Sequence, residues 1–146
     1  MGSKQPRRDE PRVMPPEPAG RPRGQASVLV VDDEPDFCQV IKEILRIDGM
    51  LVWEAHNVNQ ALAMLARQAP DLVLTDVMMP EIDGLEFVRS LRSEPLWSKI
   101  PAVVVSARVL EEDREAALQA GANAFLPKPF SARELRETIR PLLAST

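Results

Sequence analysis

The chain has 146 residues with 18 basic and 22 acidic side chains, a formal charge of −4 and 45% hydrophobic residues, a composition that suits one globular domain and is too apolar for a wholly disordered chain. A single Cys and a single His exclude an internal disulfide, a multi-Cys zinc or iron–sulfur cage and a poly-His metal site. No apolar run approaches the roughly 20 residues of a membrane helix and no signal peptide opens the chain, so a cytoplasmic setting without membrane contact is expected.

Residues 1–26 differ from the rest. They hold Pro6, Pro11, Pro15, Pro16, Pro18 and Pro22, with six basic residues against three acidic ones, a net +3 that leaves −7 for residues 27–146. Val13 and Met14 are the only sizeable apolar side chains there. Such a segment cannot offset about 1–2 kcal/mol per residue of backbone ordering, so a disordered tail is expected ahead of a domain spanning 27–146. A basic arm for an acidic partner is the functional alternative for this tail. Pro6 stands where a myristoylation signal after Gly2 needs Ser or Thr, which argues against lipidation.

The domain alternates two patterns. Val28-Leu29-Val30-Val31 is a short apolar strand that ends in Asp32-Asp33. Phe37, Val40, Ile41, Ile44 and Leu45 then recur on one helical face, with Pro35 in the first turn and Gly49 past the end. Met50-Leu51-Val52-Trp53 predicts a second strand, and Val58, Ala61, Leu62 and Leu65 a second helix capped by Asn57. Leu72–Thr75 is a third strand ending at Asp76, followed by a helix from Asp83-Gly84 that carries Phe87, Val88 and Leu91. Ala102–Val105 runs to Ser106, and residues 109–120 predict a weakly amphipathic, acidic helix. Ala124-Phe125-Leu126 is a short fifth strand, and Leu135, Ile139, Leu142 and Leu143 mark a last helix capped by Ser131. Strands apolar on both faces, alternating with helices, imply a parallel sheet covered on both sides. Right-handed crossovers make this (βα)5 chain a doubly wound, flavodoxin-like α/β fold.

In such a sheet, ligands bind beyond the carboxyl ends of the strands. Asp32, Asp33, Asp76, Ser106 and Lys128 all stand there. Three carboxylates close together repel one another, and desolvation adds to the cost, so a cation is called for. All-oxygen ligation points to Mg²⁺, with Mn²⁺ as the alternative, rather than zinc. Lys128 adds a positive charge and Ser106 a donor. The set is suited to a phosphoryl group carried on an Asp. Taken singly, each residue has a plainer role: helix caps for Asp32 and Asp33, turn or loop residues for the others. Cys38, His56, Trp53 and Trp97 read as packing or loop residues, and Glu111-Glu112-Asp113 as a solvated helix start.

The segments VLVVDDEP (28–35), PDLVLTDVMMPEIDGLE (70–86), PAVVVSA (101–107) and GANAFLPKPF (121–130) resemble the receiver domain of two-component response regulators. The resemblance covers residue 27 to about 144. It implies a five-stranded sheet of order 2-1-3-4-5, in the manner of single-domain chemotaxis regulators. It also implies that Asp76 accepts a phosphoryl group from the phospho-His of a histidine kinase or phosphotransfer protein. Asp33, Asp76 and the backbone carbonyl of Met78 then bind Mg²⁺ directly, and Asp32 through water. Ser106 is the switch hydroxyl, Lys128 pairs with the phosphoryl oxygens, and the peptide before Pro129 is cis. Phe125 takes the switch aromatic position without a hydroxyl, while Met78 and Arg108 border the water path and tune dephosphorylation.

The function so implied is a signalling phosphoacceptor rather than a free-standing enzyme. It has intrinsic Mg²⁺-dependent phosphoryl transfer and autodephosphorylation. A downstream protein partner is expected on the face of the fourth helix, fifth strand and fifth helix. The domain itself is not expected to bind nucleic acid, since no helix-turn-helix follows it. A phosphorylation-independent scaffold, or a module of a larger regulator or hybrid kinase, is the alternative. A phosphohydrolase of the haloacid dehalogenase type is disfavoured because Met78 stands where that class needs a second Asp.

Overall fold

A computed structural model describes residues 25–144. The tail expected over residues 1–26 therefore lies outside the described residues, apart from Gln25 and Ala26. The elements run β1 (Ser27–Val31), α1 (Pro35–Ile47), β2 (Leu51–Ala55), α2 (Val58–Arg67), β3 (Leu72–Asp76), α3 (Gly84–Ser93), β4 (Ala102–Ser106), α4 (Glu111–Ala120), β5 (Ala124–Pro127) and α5 (Ala132–Ala144). All four strand pairings are parallel, in the order β2-β1-β3-β4-β5. The expected fold class and strand order are those observed.

Because side chains alternate across a strand, each apolar run feeds two cores. Leu29, Val31, Val73 and Val104 join Phe87, Val88 and Leu91 of α3 and Ala61 and Leu65 of α2 on one face. Val28, Val30, Leu72, Leu74, Val103 and Val105 join Ile41 and Leu45 of α1 and Leu135 and Ile139 of α5 on the other. Each fully buried Leu, Ile or Phe contributes about 1.5–3 kcal/mol of transfer free energy. The central strands therefore anchor the loops that follow them.

The caps are local and legible. Asn57 Oδ1 accepts from the Gln60 amide and Asp83 Oδ1 from the Glu86 amide. Ser131 and Glu134 cap each other reciprocally at the start of α5. Gly49, at φ +84°, closes α1 in the left-handed region.

β1, β2 and β5 each have an end shifted by one residue, at Ser27, Leu51 and Pro127, and two boundaries differ from expectation by two residues. β2 runs two residues further, through Glu54 and Ala55, because on this edge strand Glu54 finds a partner in Lys42, 3.0 Å away. α4 begins at Glu111 rather than 109, its first turn tied where the Leu110 amide donates to Asp113 Oδ2. It buries only Ala117 and Ala120, the lightest anchorage consistent with its weak apolar stripe.

Candidate functional site

Parallel strands deliver their carboxyl ends to one edge, and the order β1-β3-β4 sets Asp76 between the loop after β1 and Ser106. One oxygen from each of Asp32, Asp33 and Asp76 lies within 4.8 Å of the others. Asp32 and Asp76 are buried, while Asp33 is exposed. Lys128, from the turn after β5, reaches across with Nζ 3.2 Å from Asp32 Oδ2 and 3.7 Å from Asp76 Oδ1. The same ammonium sits 4.1 Å from the centroid of Phe37, a ring braced edge-on by Phe130 at 5.7 Å. Two carboxylates and an aromatic face therefore hold one cation.

The charges do not balance. Burial pushes the Asp76 carboxyl above its usual range and the charge of Asp32 adds to this; Lys128 and the amides of Val77 and Met78 oppose without cancelling. Three carboxylates facing one ammonium leave a surplus of negative charge in a partly desolvated place. The donors are all oxygens, so the group fits a hard divalent cation such as Mg²⁺.

The remaining polar atoms are fixed by backbone. Asp32 Oδ1 accepts from the Glu34 amide and Asp76 Oδ1 from the Val77 amide, both at 2.9 Å. Ser106 Oγ accepts from the Arg108 amide at 3.0 Å, which leaves its hydroxyl proton to be donated elsewhere. The Ser106 carbonyl accepts from the Lys128 amide at 2.8 Å, and the Lys128–Pro129 peptide is cis. Met78 is 58% exposed. Arg108 is also exposed, its guanidinium 3.6 Å from Asp113 at the start of α4. Phe125 is buried, with the Arg114 guanidinium 6.0 Å from its ring centroid.

Four features escaped the sequence reading. Gly84 starts α3, and its amide donates to the Val77 carbonyl at 2.9 Å; a Cβ there would lie 2.0 Å from the Asp76 carbonyl oxygen. Glu81, in the loop between them, holds φ +70°, an uncommon conformation for a residue with a side chain. Arg92 of α3 donates to the carbonyls of Gly121, Ser98 and Ile100 and to Asn123 Oδ1, at 2.8–3.1 Å. Gly84 and Arg92 sit in ordinary helical patterns, so no local signal marked them. The fourth is a contact of Cys38, buried as expected of a packing residue: its Sγ donates to the Asp32 carbonyl at 3.5 Å. Burial, with the charges of Glu54 and Asp32 behind it, pushes that thiol up to about 12, so it is no free nucleophile.

A family model for the response regulator receiver domain matches residues 28–140. The KDP operon transcriptional regulatory protein KdpE of Escherichia coli is 42% identical over 117 residues, 80% of this chain and 51% of that protein. A 14.6 kDa protein of Leptolyngbya boryana is 41% identical over 111 residues, 76% of this chain and 85% of that protein. Against KdpE, then, the chain spans about half the relative's length. Among solved structures, the signal receiver domain of a signal transduction histidine kinase from Syntrophus aciditrophicus superposes with a TM-score of 0.78 at 30% identity, covering 83% of this chain and 92% of that one. The chemotaxis protein CheY4 of Vibrio cholerae superposes at 0.77 and 28% identity, covering 82% and 99%. With the fold, the strand order and the family match in agreement, this chain belongs to the response regulator receiver family.

Proposed function

We propose that residues 27–146 act as a phosphoryl-accepting switch in a two-component relay, with Asp76 as the acceptor. The observation that carries this reading is the meeting of three carboxylates within 4.8 Å of one another with the Lys128 ammonium beside them. A carboxylate oxygen of Asp76 attacks the phosphorus of a histidine kinase's phospho-His or of a phosphotransfer protein. The P–O bond forms as the P–N bond breaks, the imidazole nitrogen keeps the bonding pair, and Asp76 becomes an acyl phosphate. Asp33, Asp76 and the Met78 carbonyl, with Asp32 through water, would hold Mg²⁺ or Mn²⁺, which when bound neutralises charge between the carboxylates and the phosphoryl oxygens.

Lys128 pairs with a phosphoryl oxygen once Asp76 is modified, giving up part of its hold on Asp32. Ser106 donates its free hydroxyl proton to another. Its movement draws on the β4–α4 loop and on Phe125, and biases the lightly anchored α4. The exposed Val109, Leu110 and Leu118 then belong to a face of α4, β5 and α5 that a downstream protein partner reads. Met78 and Arg108 govern how readily water reaches the acyl phosphate and so set its lifetime. A cytoplasmic setting and a separate tail over residues 1–26 complete this reading; the domain itself carries no nucleic-acid role in it.

Acetyl phosphate with Mg²⁺ is expected to add one phosphoryl mass to the intact protein, and none to Asp76→Asn or to the protein in chelator. Failure to label from acetyl phosphate, phosphoramidate and a phosphorylated histidine kinase alike would replace this reading with a phosphorylation-independent scaffold.

A further inference from the structure

Composition excludes cages built from several cysteines or several histidines, yet the fold brings the chain's one Cys and one His together. Cys38 comes from the second turn of α1. Glu54 comes from edge strand β2, on the face that α1 covers, and His56 follows β2 directly. One ligand atom from each, a thiol sulfur, a carboxylate oxygen and an imidazole nitrogen, lies within 4.8 Å of the other two. We infer that Cys38, Glu54 and His56 form a binding site for a borderline transition-metal dication, represented by Zn²⁺, separate from the all-oxygen cluster at Asp76.

The donor set separates the two sites by chemistry. Sulfur and imidazole suit Zn²⁺ and its neighbours, whereas carboxylates and carbonyls suit Mg²⁺. The ligand charges cancel the ion: thiolate, carboxylate and neutral imidazole around a dication sum to zero, and the Lys42 ammonium on Glu54 Oε1 leaves one positive charge, on a lysine that is itself partly exposed. The thiolate arises by loss of its proton to solvent as the metal–sulfur bond forms.

The geometry asks for small adjustments. Tetrahedral bonds of about 2.3 Å to sulfur and about 2.0 Å to nitrogen or oxygen place ligand atoms roughly 3.3–3.6 Å apart. Glu54 Oε2 and His56 Nε2 are 2.5 Å apart, so that pair opens by somewhat less than ~1 Å to admit an ion. The His56 side chain is 39% exposed, so solvent rather than packed core lies on the side toward which it would move.

The surroundings already orient the ligands. Glu54 Oε1 is held by Lys42 at 3.0 Å, which leaves Oε2 for the metal. The His56 amide donates to Gln60 Oε1 at 2.7 Å, anchoring that residue to α2. Cys38 is wholly buried, so an ion enters past His56 and meets the sulfur last. Three protein ligands leave a fourth tetrahedral position for water or an outside ligand.

The test uses the whole chain, stripped of metal and held in excess Mg²⁺ so that the oxygen cluster is satisfied. Titration with Co²⁺ is expected to produce a thiolate-to-cobalt charge-transfer band and tetrahedral visible absorption. Both should saturate at one ion per chain, and Zn²⁺ should bleach both. His56→Gln, at a half-exposed position, should keep the parent circular dichroism and weaken binding by about 10-fold or more. Cys38→Ser should remove the charge-transfer band. Absence of that band in the parent overturns the proposal. So does Co²⁺ affinity unchanged in folded His56→Gln.

Discussion

Gly84 lies so close beneath Asp76 that a Cβ at position 84 would come within 2.0 Å of the Asp76 carbonyl oxygen and 2.9 Å of its carbonyl carbon. Both atoms are backbone, so neither can swing aside. Gly84 is thus chosen for proximity: its amide closes the β3–α3 loop on the Val77 carbonyl. Gly84→Ala is expected to destabilise the domain by about 2–3 kcal/mol, as overpacking against backbone does. It should also slow labelling by acetyl phosphate, because the shift is delivered straight to Asp76. Urea unfolding and a labelling time course check the two effects; an Ala variant equal to the parent in both would show that the loop relaxes without cost.

Lys128 is the cation shared by the buried pair Asp32 and Asp76. Lys128→Ala should cost about 2 kcal/mol in metal-free buffer, less than a fully buried pair because the lysine side chain is 17% exposed. The same variant should bind Mg²⁺ more tightly than the parent, since a competing positive charge is gone. Calorimetric titration decides this, and equal affinities would mean that the ammonium does not act on the cluster.

Asp76 holds its proton to higher pH in the folded chain than in the unfolded one, through burial first and Asp32 second. For a carboxyl raised in this way, the folded state binds more protons than the unfolded state between the two pKa values. Its contribution is therefore most favourable below the unfolded value of about 3.9 and declines as pH rises through the folded value. Asp76→Asn removes that decline. Without Mg²⁺, the variant's stability advantage should grow from acid toward neutral pH and level off once Asp76 is ionised in the folded chain. Denaturation curves at a series of pH values read it directly; parallel pH profiles for the two proteins would contradict it.

Arg92 ties α3 to the segment before β4 and to the turn before β5 through four acceptors. Its stem also crosses Gly121, where a Cβ would lie 2.6 Å from Arg92 Cγ. Arg92→Ala should cost about 2 kcal/mol, since three partly buried carbonyls lose a charged donor. Arg92→Lys should recover less than half, because an ammonium cannot reproduce the planar fork. Thermal unfolding of the two variants distinguishes lost charge from lost geometry.

Much of this architecture was legible in the residues. Val28–Val31, Leu72–Leu74 and Ala102–Val105 are apolar at every position, and that pattern has few homes other than the middle of a parallel sheet. Once the strands are parallel, their last residues share an edge, so Asp32, Asp76, Ser106 and Lys128 could be brought together before any coordinates. The edge strand was harder to bound, because Glu54 breaks the apolar run and only its pairing with Lys42 explains why the strand continues. Gly84 and Arg92 escaped because their importance lies in close approach and in carbonyls from distant turns. Cys38 and His56 read as bystanders for a related reason. Their proximity depends on α1 lying over β2, and 18 positions of sequence give no hint of a contact within 4.8 Å.

The order of the strands also sets a timetable for the molecule as it is made. Asp32, Asp33 and Asp76 leave the ribosome well before Lys128, which stands 96 positions after Asp32. Among the described residues, β5 and α5, which complete the far edge of the sheet and one of its two cores, emerge after all the other elements. A nascent chain halted before residue 128 holds the carboxylates without their counter-charge and has a sheet still missing an edge. On the proposed reading, the carboxylates therefore wait for Lys128 and the closing elements of the sheet before the phosphoryl site is complete.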